Sequence, residues 1–217
     1  MSYTSTQTVS ANNTPTNPSL KDLNMVPLGA SVWTSSGNLA KSGIKAIAHA
    51  ASGAMGHQGE VGFDPTRDSV AASIENSFLL AIQNGHDRLA IPFIASNIFL
   101  DRIVPPIDKD ELASLIVKSC QSYRGSAEAV IVAFGAGDMA HFKKAMTGNT
   151  DAGVTLVEGS VTHYADHKCG AIVNAANMEV VFGGGLSGII GKATGEIPQI
   201  NAEAVSAIKD FWKTNGS

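Results

Sequence analysis

Apolar runs alternate with helical patterns from Val32 onward, and this alternation predicts an α/β layer fold. Short apolar strands are expected near residues 44–50, 88–94, 128–134, 154–158 and 170–174. Their apolar positions are continuous rather than alternating, which is typical of strands that are covered on both faces of a sheet. The pattern therefore favours a sheet between two helical layers.

The first predicted helix opens at Asp64-Pro65 and ends at Gly85, with apolar residues at every fourth position of one face. These residues are Val70, Ile74, Phe78 and Ile82. A second helix is expected after Asp108, because Glu111 completes a capping-box pattern before Leu112, Leu115 and Ile116. Asn201 is the expected cap of a last helix with Val205, Ile208 and Trp212 on one face.

Composition narrows the class of protein without giving a function. The 217 residues, 44% hydrophobic and 16% charged, fit one globular domain over 25–217 behind a disordered polar tail over 1–24. A net charge of −4 gives no general footprint for nucleic acid, although local basic patches stay open. Cys120 and Cys169 are expected to be buried free thiols. Without a secretion signal or an apolar span, we expect a cytoplasmic or nuclear protein with no membrane partner.

The stretch from Gly170 to Gly195 carries the clearest chemistry. An apolar strand ends at Asn174-Ala-Ala-Asn177, and Gly183-Gly184-Gly185 precedes a predicted helix that opens with Leu186-Ser187-Gly188. Glycines before a helix let backbone N–H groups converge on a phosphate or diphosphate. The spacing of a P-loop is absent, and so is the glycine pattern of a dinucleotide-binding turn.

This stretch resembles the ADP-ribose-binding macrodomain family. Its glycine-rich loop, residues 183–188, is most similar to that of viral-type members. The family places this segment near the start of its domain, whereas here it lies near the end. Other family-like pieces precede it in an order that a circular permutation explains: Gly29–Thr34 with Asn38-Leu39-Ala40, Ile91–Phe99, Ala129–Phe134 and Val154–Thr162. His141–Gly153 would connect the positions that are the N and C termini in an unpermuted family member. Domain termini usually lie close together, so such a connection is short. The resemblance implies a three-layer α/β/α fold with a mixed central sheet in permuted strand order.

The resemblance also implies a ligand site at the ends of the strands. The expected ligand-binding residues are Ala95, Ser96, Asn97, Ile98, Phe99, Phe134, Ser160, Val161, Asn174, Asn177, Gly183, Gly184, Gly185, Leu186, Ser187 and Gly188. Asn177 would contact the distal ribose, and Phe134 would pack on adenine or serve as core. Asn174 is expected to tie loop backbone together. Ser160 replaces the family's adenine-binding aspartate, while Asn97 and Leu100 replace glycines, with Asn97 able to take a positive φ.

Binding is better supported than catalysis at this site. The family's usual acid or base positions hold Ser187, Gly191 and Phe182 here, and Asn177 is the catalytic candidate. Replacement acids or bases could come from the stretch that holds His49, His57, Glu60 and Asp64. His49 is interpreted as a core residue, whereas His57, Glu60 and Asp64 are expected in a solvated loop. His163 and His167 are expected at the surface, and no metal or other cofactor is implied.

Three hypotheses remain open. The chain binds ADP-ribose or ADP-ribosylated protein, it removes ADP-ribose or a 1″-phosphate from such ligands, or it is a divergent scaffold for another nucleotide, nucleic acid or protein. In each case we expect a monomer.

Overall fold

The computed structural model of the chain describes residues 19–53 and 63–215, and within them six strands form one mixed sheet. The strands are β1 (Ser31–Ser35), β2 (Ala46–Gly53), β3 (Arg88–Pro92), β4 (Glu128–Ala133), β5 (Val154–Glu158) and β6 (Ala171–Asn177). Their order across the sheet is β1-β2-β6-β3-β4-β5, with β1 antiparallel to β2 and every other pair parallel. The predicted α/β class with a mixed central sheet is confirmed.

Helices cover both faces of this sheet. They are α1 (Arg67–Gln83), α2 (Lys109–Tyr123), α3 (Gly135–Ala145), α4 (Tyr164–His167), α5 (Gly185–Thr194) and α6 (Ile197–Asn215). One apolar cluster joins α1, α2 and α3 to the first face, and two others join α5 and α6 to the second. Every residue of β2 is buried, as the continuous apolar pattern predicts for a covered strand. Among the described helices, none is both long and apolar enough to cross a membrane.

The first residues of α2 agree with the start that the sequence predicts, whereas those of α1 differ from the predicted start. Asp108 and Glu111 form the predicted capping box of α2, with Glu111 N donating to Asp108 Oδ1 over 2.8 Å. In α1 the cap is Thr66, which accepts from Ser69 N at 3.0 Å, so Asp64-Pro65 lies just outside the helix. Asp64 instead pairs with Arg102 at 3.0 Å and is not a merely solvated loop residue. His57 and Glu60 lie outside the described residues.

The last helix begins earlier than the sequence predicts. Gly195 ends α5 in the left-handed conformation with φ 63°, and α6 begins at Ile197 with Pro198 in its first turn, where no N–H is needed. Asn201 therefore lies inside α6 rather than at its cap. Its side chain has a different task, because Asn201 Oδ1 accepts from Phe182 N at 3.2 Å.

Two further boundaries differ from the expectations. Residues 1–18 lie outside the described part, but Leu20 and Leu23 pack beside Met25 and Met178, so the packed chain begins before residue 25. His141–Gly153 is not wholly a connecting segment, because α3 continues through Ala145. The glycines at the start of α3 are poor helix formers, which hides this helix in the sequence.

Both cysteines are buried free thiols, as predicted. Burial raises the pKa of Cys120, and it raises the pKa of Cys169 to about 12. Neither thiol is therefore a nucleophile at neutral pH.

The apolar face of α1 provides a test of which of its residues are buried in the core. Phe78 is fully buried, whereas Ile82, assigned by sequence to the same face, is 39% exposed because it lies in the last turn of α1. We expect Phe78→Ala to lower the free energy of unfolding by about 3–5 kcal/mol and Ile82→Ala by less than about 1 kcal/mol. Urea denaturation of both variants measures the difference, and equal losses would contradict the assigned burial.

Candidate functional site

A cavity of about 410 Å³ lies at the carboxyl edge of the parallel strands. Parallel pairing brings the loops after β6, β3, β4 and β5 to this edge, where α/β sheets commonly bind ligands. Most of the predicted ligand-binding residues line it: Ala95, Ser96, Asn97, Ile98, Phe99, Phe134, Ser160, Val161, Gly184, Gly185, Leu186 and Ser187. Asn174, Asn177, Gly183 and Gly188 do not line it. Segments distant in sequence thus share one concave surface.

The glycines of the Gly loop, residues 183–188, have different physical roles. Gly185 adopts φ +58°, and a Cβ on Gly188 would lie 2.6 Å from the carbonyl oxygen of Gly183. Gly183 and Gly184 face open space instead. No side chain caps α5, so the amides of its first turn are available at the cavity wall together with the positive end of the helix dipole.

The loop after β3 differs from the expectation at one residue. Ala95, and not Asn97, adopts the positive φ, at 58°. The Ser96 hydroxyl stabilises this turn by donating to Phe93 O at 2.7 Å. Leu100 lies at the start of a short 3₁₀ helix and packs against the core, so it does not narrow the cavity.

Phe134 and Asp138 line the part of the cavity that follows β4. Phe134 is 76% exposed, which excludes the core interpretation of this aromatic ring. Asp138 lies in the first turn of α3 and accepts from Phe134 N at 3.3 Å. It is the one charged side chain among the described residues of the lining. Asp138 is not among the residues expected at the site, because the sequence pattern does not predict α3.

Ser160 is engaged in a local turn. Its Oγ accepts from Thr162 N at 3.3 Å and bonds Thr162 Oγ1 at 2.9 Å, while its N–H donates to Asp166. The hydroxyl is therefore a weaker acceptor for a ligand than the sequence alone indicates. The Val161 N–H has no hydrogen-bond partner among the described residues and is a free backbone donor of this loop.

His167 holds the same loop from inside the protein. It is buried rather than at the surface, because its Nε2 bonds Val161 O at 3.0 Å and its Nδ1 accepts from Cys169 N at 3.0 Å. Burial lowers the pKa of His167, so the ring is neutral. His163 is exposed as expected.

The two asparagines of the motif do not line the cavity. Asn174 Nδ2 donates to Ser187 Oγ at 3.2 Å and bonds His49 Nδ1 at 3.1 Å, so it links two side chains instead of loop backbone. Asn177 Oδ1 is buried without a hydrogen-bond partner among the described residues. His49 is the predicted core residue, and burial lowers its pKa to about 3.

Phe182, Ser187 and Gly191, at the positions where the resemblance implies acids or bases, provide no titratable group. A Cβ on Gly191 would lie 2.8 Å from the Phe182 ring, so this ring fills the space of a side chain at position 191. Ser187 contacts an amide and a backbone N–H, neither of which can accept its proton. Among residues 19–53 and 63–215, no group of three or more His, Cys, Asp or Glu side chains could hold a metal ion.

The Gly loop provides a matched pair of substitutions. Gly188→Ala places a methyl group against backbone, so we expect a lower melting temperature and a displaced loop. Gly184→Ala adds the same methyl group to open space, so we expect an unchanged melting temperature. Thermal unfolding followed by circular dichroism compares the two variants, and equal melting temperatures would contradict the loop geometry.

His49 makes stability depend on pH. Its pKa is about 3 in the folded chain and near 6.5 when unfolded, so the unfolded state binds one more proton between these values. Stability should therefore fall as pH decreases below 6.5, by up to about 1.4 kcal/mol per pH unit from this residue. Urea unfolding at pH 7 and pH 5 should show a smaller decrease for His49→Gln than for the wild type. Equal decreases would contradict a neutral buried His49.

No protein-family model matches the chain, and no curated protein matches it either. The function is therefore inferred from the cavity, from the hydrogen bonds behind it and from the motifs that line it.

Proposed function

We propose that the chain binds ADP-ribose or an ADP-ribosylated ligand in this cavity, as a circularly permuted macrodomain. The observation that supports this function is the convergence of four loops that are distant in sequence. The Gly loop, Ala95–Phe99 and the pair Phe134 with Ser160-Val161 line one cavity, as the family resemblance implies for a diphosphate and a base.

The dimensions of the cavity suit an extended nucleotide. The lining runs from the loop after β6, past β3 and β4, to the loop after β5. Three strand spacings amount to about 14 Å, enough for a base, a ribose and a diphosphate in line. The Gly loop would hold the diphosphate at one end, while the exposed Phe134 ring after β4 offers a flat apolar face for the base.

The charge of the lining favours recognition by dipoles. Its described residues include no Lys or Arg, so an anion would be held by backbone amides and by the start of α5. We do not propose hydrolysis, because Phe182 and Gly191 supply no acid or base and Ser187 has no activating partner. His49 is fully buried and cannot reach a ligand in the cavity.

Calorimetric titration with ADP-ribose tests the proposal, with AMP and ATP as competing nucleotides. The wild type should bind ADP-ribose selectively, and Gly184→Glu should abolish binding through a bulky anion beside the diphosphate. Gly184 has φ −88° and ψ −175°, which any residue adopts, so this variant should fold normally. Gly137→Glu is the matched control, because its Cβ also meets open space but lies outside the lining.

Three results would contradict or extend the proposal. A wild type that does not bind ADP-ribose would favour a scaffold for another ligand, with the locally engaged Ser160 as the reason. Equal losses of ADP-ribose affinity in Gly184→Glu and Gly137→Glu would mean that the ligand does not bind at the Gly loop. Release of product from ADP-ribose 1″-phosphate or ADP-ribosylated protein, lost in Asn177→Ala, would require catalysis to be added.

A further inference from the structure

A row of polar side chains crosses the buried face of the sheet that α5 and α6 cover. Thr34 on β1, His49 on β2, Asn174 on β6 and Ser187 on α5 are each at most 7% exposed. His49 and Asn174 are register partners in the parallel β2–β6 pair. Among these four residues, which we name the polar row, only Ser187 lines the cavity. Buried polar groups are costly when unpaired, so the direction of each bond in the row is constrained.

The donors of the polar row point outward from Asn174, toward Ser187 on one side and toward His49, Thr34 and Ser35 on the other. Asn174 Nδ2 has two hydrogens, one for Ser187 Oγ and one for His49 Nδ1. Because Nδ1 accepts, the proton of the neutral ring is on Nε2, which donates to Thr34 Oγ1 over 2.8 Å. Thr34 Oγ1 in turn donates to Ser35 O over 2.9 Å. Every hydrogen of the row beyond Ser187 thus has an acceptor.

The opposite direction is less favourable. If the amide of Asn174 were reversed, both hydrogens of Nδ2 would occupy the position where Oδ1 now has no partner. The His49 Nε2 would then have to accept from Thr34, which would give up its bond to Ser35 O. The observed direction leaves one acceptor unpaired, whereas the reverse leaves two donors unpaired.

The row determines what Ser187 can offer to a ligand. Ser187 Oγ accepts from Asn174 Nδ2 and, at 3.4 Å, from Gly183 N, so both of its lone pairs are used. The only bonding capacity left is the hydroxyl hydrogen, which has no acceptor among the described residues. Since Ser187 lines the cavity beside Gly184, Gly185 and Leu186, that hydrogen is available to a bound anion.

We infer that the polar row fixes the Ser187 hydroxyl as a hydrogen-bond donor to a phosphate oxygen bound at the start of α5. Ser187 is the ligand-binding residue, whereas Asn174, His49 and Thr34 are positioning residues that touch no ligand. The inference rests on the proposed function only in taking the ligand to carry a phosphate. A donor that is already oriented needs no rearrangement on binding, and a bond to a charged oxygen is stronger than one to a neutral acceptor.

The first measurement needs no variant and no ligand. Nitrogen-15 NMR of the histidine rings in the wild-type protein should show His49 with an unprotonated Nδ1 and a protonated Nε2 from pH 5 to pH 8. The opposite tautomer, or a doubly protonated ring in this range, would overturn the inference, because the direction of the row depends on this proton.

The second measurement is a double-mutant cycle read by the affinity for ADP-ribose. Ser187→Ala should weaken binding about tenfold to a hundredfold, as expected for the loss of a donor to a charged oxygen. Thr34→Val should weaken it about threefold to tenfold in the wild type and have no effect in Ser187→Ala, because Thr34 acts only through Ser187. An equal effect of Thr34→Val in both backgrounds would mean a merely structural role and would overturn the inference.

The control is a second buried threonine. Thr194 lies at the end of α5, is fully buried, and donates to Gly191 O at 2.6 Å, but it belongs to neither the polar row nor the cavity lining. Thr194→Val should lower the melting temperature about as much as Thr34→Val while leaving the affinity unchanged. Equal losses of affinity in both variants would also overturn the inference.

A titration with inorganic pyrophosphate distinguishes a failure of this inference from a failure of the proposed function. If the wild type binds pyrophosphate but not ADP-ribose, the proposed function fails, and the cycle is read with pyrophosphate instead. If the wild type binds neither probe, both the proposed function and the inferred role of Ser187 are overturned.

Discussion

The placement of β6 between β2 and β3 is the constraint on which the rest of the structure depends. Ile172 of β6 faces Ile47 on one side and Ala90 on the other, and all three residues are fully buried. Both pairings are parallel, so the loops after β6 and β3 must leave the sheet at the same edge. That single arrangement brings the Gly loop opposite Ala95–Phe99 and places Asn174 beside His49. Cavity and polar row therefore have the same structural origin.

Five of the six strands and the Gly loop follow from local patterns in the sequence, whereas Phe134, Ser160 and Val161 are expected at the site only from the family resemblance. Continuous apolar runs predict the strands, and glycines next to polar strand ends predict a ligand site there. The partners of individual polar side chains do not follow in the same way, because they depend on contacts between distant strands. Asn174 and His49 are 125 residues apart, and no local signal indicates their bond. Likewise, the engagement of Ser160 by Thr162 becomes visible only when the turn is built.

Packing explains why positions 182 and 191 beside the Gly loop hold no acid or base. Gly191 lacks a side chain, and the Phe182 ring fills that space while its centroid lies 5.4 Å from the ring of His49. The two positions are therefore coupled, since a side chain at one excludes the aromatic ring at the other. The same ring covers the buried histidine from one side. The result is an aromatic ring that packs against both Gly191 and His49 behind the Gly loop.

The position of β6 in the chain also determines when the protein can assemble during synthesis. Residues 46–53 and 88–92 emerge from the ribosome long before residues 171–177, which fill the gap between them. Until then, β2 has only β1 as a partner, while β3, β4 and β5 can form at most a separate sheet. Two half-sheets with unpaired inner edges must therefore wait for the strand that joins them, and during that interval the exposed edges are open to pairing with other chains.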